Sequence, residues 1–582
     1  MNAYSIHYTL SFCEPQAHYM EVQMIIKNLK NSTSKSIDVK MPVWTPGSYL
    51  VREYSRHVES FQVSNVNKKQ KVSFQKTNKN TWRIFNDGKD LCISYRLYGF
   101  EKTVRTNFFD EDHAFVSPAS TFLYIDGHKN LSSTIEVIPA PNWTKISTGL
   151  PTVKNQPNIF FAKDVDTLID SPIEIGNQET WTFEVENTLH EFAMVGGGNY
   201  NTEELTKDVS KIIRTTNKIW PENPNERYVF ITHHYKSAYG GLEHCNSTVL
   251  ATSRNGYNKP STYQKYLGLV AHEYFHLWCV KRLRPKELGP FDYDKENYSK
   301  ALWVMEGFTS YYDNLILRRA GILNETEYLS LLSRDFNAVY LRPGVKVQSA
   351  EMSSFDTWIK HYRPDENTIN SQVSYYNKGA LLACALDLKI ITETNGGKRL
   401  DQVLREAYMH FYMNLNRGFE LEELQKLAQE ITGVDLSEIF NAASLCEELD
   451  YISLFQKVGY SLKDHNKESQ KTSLGIDLRT CEQRLYVKSV KRDSAAWKNG
   501  LNVHDEIIAI NEERVDTTEN GINSFVEECP AGEVLHILIA REGRIRQIDI
   551  QPQKDTQPKY KITPIKNRTS EQARLGDIWL SL

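Results

Sequence analysis

The sequence predicts a multidomain α+β chain: a β-rich N-terminal domain, a mixed α+β domain, a helical domain and a small β-rich C-terminal domain. Three observations predict it. At 582 residues the chain is too long for one compact core. Its 40% hydrophobic and 11% aromatic content is that of a folded globular protein. The period of its apolar pattern also changes along the chain, from short alternating runs to helical spacing and back.

Residues 1–178 read as all-β. Tyr4, Ile6, Tyr8, Leu10 and Phe12 alternate as in a half-buried strand, so the start reads as structure and not as a signal peptide. "HYMEVQMIIKNL", "KSIDVKMPVW", "DLCISYRLYGF" and "STIEVIPA" are short and rich in Val, Ile and Tyr, with turn signals such as "IDG" and "APN" between them. Residues 179–325 mix strands, "WTFEVEN" and "RYVFITHHY", with helical patterns. One of these is "TEELTKDVSKIIRTTNKIW", capped by Asn201 or Thr202. Helical spacing dominates 326–460, where Gly396 and Gly433 are expected at helix C-termini. Residues 465–555 return to short strands, "SLGIDL", "LYVKSV", "EIIAIN" and "LHILIAR". The polar tail, 556–582, has Trp579 and Leu580 as its apolar anchors.

Several function classes drop out. A net charge of −4 and the absence of a long basic run give no electrostatic footprint for nucleic acid. The best apolar run, 379–386, is cut short by Asp387 and Lys389, far below the roughly 18–20 residues of a membrane helix. The eight cysteines are scattered without a CxxC pair, so neither a disulfide framework nor a thiolate zinc cluster is expected. A cytoplasmic setting is the expectation.

"LGLVAHEYFHLWCVKRLRP" holds the chemistry. Residues four apart share a helix face, so His272 and His276 can point imidazole nitrogens at one metal ion. Glu273 is rotated by about 100° and stands beside that ion, placed to take a proton from water there. In a chain with 16 histidines the pattern alone is weak evidence. Two neighbours strengthen it. Glu306 lies in "LWVMEGFTSYYD", where burial among Trp303, Met305 and Phe308 without a partner is costly, and a metal supplies the partner. The plain alternative is a Glu on the polar face of an ordinary helix. In "YGGLEHC", Gly240 and Gly241 allow close backbone approach or an edge strand beside a ligand, and Glu243 follows; a bulge with a solvated Glu is the alternative.

Together these segments resemble the gluzincin zinc metallopeptidases, and within them the glycyl aminopeptidase family that carries a PDZ domain. "MPVWTPGSYLVREYSRHVESF" looks like that family's N-terminal signature. "GGLEH", "AHEYFHLWCVKRLRP", "LWVMEGFTSYY" and "RPDEN", then "VSYYNKG", follow in the family's order. The resemblance implies a thermolysin-like catalytic domain over 179–325, a helical domain over 326–460 that completes the active site, and a PDZ domain over 465–555.

It implies one Zn2+ on His272, His276 and Glu306, with Glu273 as general base. Glu243 would bind the substrate's free α-amino group; His244 stands where the broader group has Asn. Tyr376 is the better match for the tyrosine that stabilises the oxyanion, with Tyr375 adjacent, and Asp313 would support a ligand histidine. Cys279, where the family has Asn, reads as a buried structural residue. Leu474, Gly475 and Ile476 would form the PDZ loop that receives a peptide's C-terminal carboxylate. The expected activity is release of a small N-terminal residue, Gly or Ala, from peptides with a free N-terminus. The competing readings are a metalloendopeptidase and a silent scaffold with a structural zinc. Neither nucleic acid nor membrane is an expected partner.

Overall fold

The computed structural model describes residues 4–29, 35–66, 70–86, 88–518, 520–530 and 532–582. The chain divides into two compact units. The first comprises residues 1–298 with 319–322 and 404–420; the second comprises 299–318, 323–403 and 421–582. The fold is the multidomain α+β architecture that the sequence predicts: a β-rich N-terminal part, a helical middle and a C-terminal β domain.

In the first unit, Ser5–Ser11 lies inside a seven-stranded sheet, antiparallel to Tyr19–Lys27 and parallel to Ser133–Ile138. Its alternation works as read: Ile6, Tyr8 and Leu10 enter the core. The Tyr8 hydroxyl, buried with them, donates to the Leu123 carbonyl at 2.6 Å. Two four-stranded sheets complete this part.

The next sheet positions the site. Its strands are β1 (Glu179–Val185), β2 (Thr188–Val195), β3 (Arg227–Tyr235), β4 (Gly240–Glu243) and β5 (Ser247–Ser253), in spatial order β1-β2-β3-β5-β4. β2, β3 and β5 run parallel, while β4 pairs antiparallel with β5 at the edge. The central strands are continuously buried, as parallel strands covered on both faces must be. The helix Thr202–Asn217 begins at Asn201, whose side chain accepts the Glu204 N–H at 2.9 Å. It packs on α1 (Pro260–Phe275), the helix that carries the two histidines.

Glu174 joins this sheet to the N-terminal ones. It is fully buried, and its oxygens face His113 Nδ1 at 2.7 Å and His233 Nε2 at 2.9 Å. Burial pushes its carboxyl up, but the two imidazoles outweigh that and hold it below the usual range. Each oxygen has its own ring nitrogen, while His233 Nδ1 is buried with no hydrogen-bond partner among the described residues.

The second unit is built on α2 (Leu302–Arg319) and α3 (Tyr375–Glu393). They cross at glycines: a β-carbon on Gly307 would lie 2.4 Å from the Gly379 Cα, and one on Gly379 would lie 2.3 Å from the Trp303 carbonyl oxygen. Only glycine at both positions allows this approach. Gly396 and Gly433 take positive φ just past helix ends, as expected.

The C-terminal β domain is an insertion in this unit. Tyr460–Asp464 leads into it and pairs antiparallel with Tyr560–Pro564, which leads out. The chain then forms α4 (Ser570–Leu580), packed against α3. Trp579 is fully buried and donates to the Tyr311 hydroxyl at 2.8 Å, which donates to Asp387 at 2.6 Å. No described helix is long and apolar enough to cross a membrane.

Candidate active site

His272 and Glu273 occupy the last turn of α1, and His276 is its C-cap. The apolar face of this helix fixes their direction. Leu267, Val270, Ala271, Tyr274 and Phe275 are buried, and the Tyr274 hydroxyl is held by Asn223 at 2.8 Å and His190 at 3.2 Å. The Nε2 atoms of His272 and His276 face each other at 3.1 Å. Two imidazole nitrogens on one tetrahedral zinc stand about 3.3 Å apart, so this donor pair fits the ion. His276 Nδ1 donates to the Cys279 carbonyl at 2.8 Å, which fixes the tautomer with the proton on Nδ1 and the Nε2 lone pair towards His272. Cys279 therefore contributes its backbone, while its buried side chain is structural.

Val280 makes that carbonyl available. Its φ is +92°, a left-handed conformation that a β-branched residue adopts only under strain. Lys281 N donates back to the His276 carbonyl at 3.3 Å and Val280 N to Leu283 at 3.0 Å, which close the turn behind the helix.

Glu273 and Glu243 are both 4% exposed, and donor atoms of Glu243, Glu273 and His276 lie within 4.8 Å of one another. Gly241 lets the edge strand come this close, because a β-carbon there would sit 2.1 Å from a Glu273 carboxylate oxygen. Gly240 has no such demand; a β-carbon there would come no closer than 4.0 Å to the Arg105 guanidinium. Arg105, from a turn in the N-terminal β-rich part, donates to the Gly241 carbonyl at 3.1 Å and fixes the edge strand.

Glu243 Oε1 is buried and has no hydrogen-bond partner among the described residues. A buried carboxylate oxygen in that state is costly unless a cation completes it. The nearby cation is engaged elsewhere. Lys281 Nζ is 2.7 Å from Asp170 Oδ1, which also faces His244 Nδ1 at 3.0 Å, and Asp170 Oδ2 accepts the Cys245 N–H at 2.8 Å. Burial opposes ionisation of Asp170, but Lys281 and His244 outweigh it and hold its carboxyl well below the usual range. Burial likewise opposes the charge of Lys281, and Asp170 keeps its ammonium on. His244 thus belongs to the Asp170 cluster.

In the second unit, Glu306 is 2% exposed and lies in α2 between the buried Met305 and the Gly307 crossing. Tyr375 and Tyr376 open α3. Tyr375 is fully buried and its hydroxyl accepts from Thr357 at 3.1 Å, whereas Tyr376 is half-buried. Burial first, and then the Glu306 carboxylate, push the Tyr376 phenol well above its ordinary value, so it is a protonated donor at neutral pH. His361 packs its ring on both, 5.0 Å from Tyr375 and 5.5 Å from Tyr376. Asp313, two turns beyond Glu306, is half-buried and lies beside Asp335.

In the C-terminal domain, Leu474 is buried and Gly475 has φ +74°. A side chain at Gly475 would strike the Ser494 Cβ at 2.2 Å. Ile476 starts the edge strand Ile476–Cys481, paired on one side only among the described residues. Asn370 clamps this domain, donating to the Val490 carbonyl at 2.8 Å and accepting the Arg492 N–H at 2.7 Å.

The sequence reading did not single out Arg105, Asp170, His361 or the Cys279 carbonyl. Gly47 lay inside a quoted signature but had no role; its position shows one, since a β-carbon there would lie 2.5 Å from Glu243 Oε1.

Comparison with known proteins agrees with this architecture. Residues 7–177 match the peptidase M61 N-terminal domain, 265–382 match M61 glycyl aminopeptidase, and 472–551 match a PDZ domain. An aminopeptidase N family protein from Idiomarina loihiensis is similar over 99% of this chain and 100% of its own, at 29% identity and a TM-score of 0.91. An M1 zinc metallopeptidase from Deinococcus radiodurans matches at 14% identity and a TM-score of 0.47, over 77% of this chain and 94% of its own. Native yeast LTA4 hydrolase matches at 14% identity and 0.44, over 78% and 67%. No curated protein sequence matches the chain.

Proposed function

We propose that this chain, a zinc metallopeptidase that joins the M61 glycyl aminopeptidase domains to a PDZ domain, releases small N-terminal residues, Gly or Ala, from peptides. His272, His276 and Glu306 would hold one Zn2+, with Asp313 supporting that ligand set. Bound there, zinc supplies Lewis-acid polarisation of the scissile carbonyl and makes water acidic enough to attack near neutral pH.

The chain's own residues do the rest. Glu243 pairs with the ammonium of the entering peptide and sets the scissile bond one residue in. Gly240 and Gly241 give the substrate backbone an open strand edge. Glu273 accepts the proton of the attacking water and returns it to the departing amine. Tyr376 donates a hydrogen bond to the oxyanion, while Tyr375, held by Thr357, buttresses it. The Leu474–Gly475–Ile476 loop would receive the C-terminal carboxylate of a peptide ligand. The eight free cysteines suit a reducing, cytoplasmic setting.

One observation supports the exopeptidase reading: Glu243, a buried glutamate whose Oε1 has no hydrogen-bond partner among the described residues, has a carboxylate oxygen within 4.8 Å of donor atoms of Glu273 and His276. An endopeptidase has no use for an anion there. Glu243→Ala should cut kcat/KM on alanine anilide by about 100-fold or more, since it leaves an ammonium unpaired. N-acetylated peptides, turned over poorly by the wild type, should change less than about threefold. Equal losses on blocked and unblocked substrates would refute the assignment.

A further inference from the structure

The second unit holds a cleft of about 570 Å³ between its helical part and its C-terminal β domain. Two asparagines fix its walls. Asn337, in the helix Glu325–Tyr340, donates to the Tyr560 carbonyl at 2.9 Å and accepts the Tyr560 N–H at 2.8 Å. Asn370 makes the second pair of bonds, to Val490 and Arg492. Each side-chain amide thus satisfies one backbone acceptor and one backbone donor across the junction. The cleft is a built gap and not slack between loosely packed parts.

Its lining is cationic. Arg342 and Lys346 come from the helical wall, Lys491, Arg492 and Lys554 from the other. Three acids line it too, and two of them are engaged. Asp555 accepts from the Gln557 N–H at 3.0 Å and from the Asn466 side chain at 3.0 Å. Burial pushes the Lys378 amine down, and Glu448 is close enough to offset part of that. Lys491 is engaged as well, 2.6 Å from Gln557 Oε1 and 3.6 Å from Asp477. That leaves Arg342, Lys346, Arg492 and Lys554 against one further carboxylate, Asp493. None of these four cationic side chains makes a hydrogen bond or an ion pair among the described residues. Four cations around one cleft repel one another, a cost that a bound anion removes.

Apolar surface lies among the charges: Pro343, Val345 and the exposed Val347 on one wall, Pro558 and Tyr560 on the other. A lone inorganic anion has no use for it, whereas a peptide covers it with side-chain stems. Gly475 also lines the cleft, and Ile476 after it begins the strand Ile476–Cys481, paired on one side only among the described residues. The cleft therefore adjoins an edge of the kind to which a peptide adds as a strand.

We infer that this cleft binds an acidic peptide segment, whose carboxylates pair with Arg342 and Lys346 on one wall and with Arg492 and Lys554 on the other. No zinc chemistry enters the inference, and it goes beyond the peptidase reading. It is also separate from the C-terminal carboxylate proposed for the Leu474–Gly475–Ile476 loop, since the cleft reads acidic side chains.

Fluorescence anisotropy of two peptides, pentaglutamate and pentaglutamine, each labelled with fluorescein at its N-terminus, tests it on the full-length protein. Both carry the same C-terminal carboxylate, so any contribution of the loop cancels in the ratio of their affinities. The wild type should bind pentaglutamate about tenfold or more tightly than pentaglutamine. In Arg342→Gln/Arg492→Gln, with the wild-type melting temperature, that preference should fall to within about threefold. Lys346→Gln, at an exposed position, should lower it by about threefold and decides the matter where the double variant is destabilised. Equal affinity for the two peptides in the wild type, or a preference that the folded variants keep in full, would overturn the inference. Displacement of pentaglutamate by an equal concentration of inorganic phosphate would overturn it in favour of a small-anion site.

Discussion

The chemistry of this site depends on which charges are left without partners. Lys281 lies close enough to Glu243 to interact with it, yet Asp170 holds its ammonium at 2.7 Å. On the proposed reading Asp170 is a positioning residue: it keeps the nearby cation off the carboxylate proposed to pair with the substrate amine. In Asp170→Asn, Lys281 loses its anion and gains a reason to turn to Glu243. KM for unblocked anilides should rise about tenfold or more while kcat changes less than about threefold, as loss of uniform binding requires. A fall in kcat at constant KM would assign Asp170 to the chemical step. That His272 and His276 face one another was legible in the sequence, because spacing on a helix dictates which residues share a face. Asp170 was not, because its partners His244 and Lys281 are 74 and 111 residues away. The Cys279 carbonyl was hidden for another reason: a backbone atom has no residue-type signature.

Among the elements, α2 and α3 frame the second unit and carry Glu306 and Tyr376. Their glycines stood in quoted motifs, but only the crossing explains them, since two helices exchange a backbone contact that neither pattern reveals alone. Asp335 lies in the helix Glu325–Tyr340, half-buried, with Asp313 beside it and Asn377 donating to it at 2.8 Å. Burial, then the Asp313 charge, push its carboxyl up to about 7. Its folded value is raised, so the folded state retains a proton that the unfolded chain releases near 3.8. Stability is full below that value and declines as pH rises towards about 7, by on the order of 2–4 kcal/mol for this group. Asp335→Asn should therefore flatten the fall in melting temperature between pH 5 and 7.5. A variant that follows the wild-type curve would show that Asp335 is ionised throughout.

In the molecule as a whole, the PDZ domain is a loop within the second unit, because the chain returns through Tyr560–Pro564 and ends in α4. The sequence showed a polar tail with Trp579 and Leu580 as anchors, and both are buried. The helix itself had a readable start, Thr569 with Gln572 three residues on, and the structure makes both bonds of that capping box. What stayed illegible was its destination, since a short helix with one apolar stripe does not name the surface it covers. Trp579→Ala removes a fully buried indole and its bond to Tyr311, and should lower the stability of the second unit by about 3–5 kcal/mol in urea denaturation of the full chain. A change under about 1 kcal/mol would mean that α4 is dispensable to that unit.

The central claim is that Glu273 is the base of a zinc aminopeptidase, and one paired measurement tests it most directly: zinc content and glycine anilide turnover in wild type and Glu273→Gln. The account predicts about one zinc per chain in both proteins, with turnover in the variant lower by roughly 10³-fold or more. A zinc-loaded Glu273→Gln that works at the wild-type rate would contradict it.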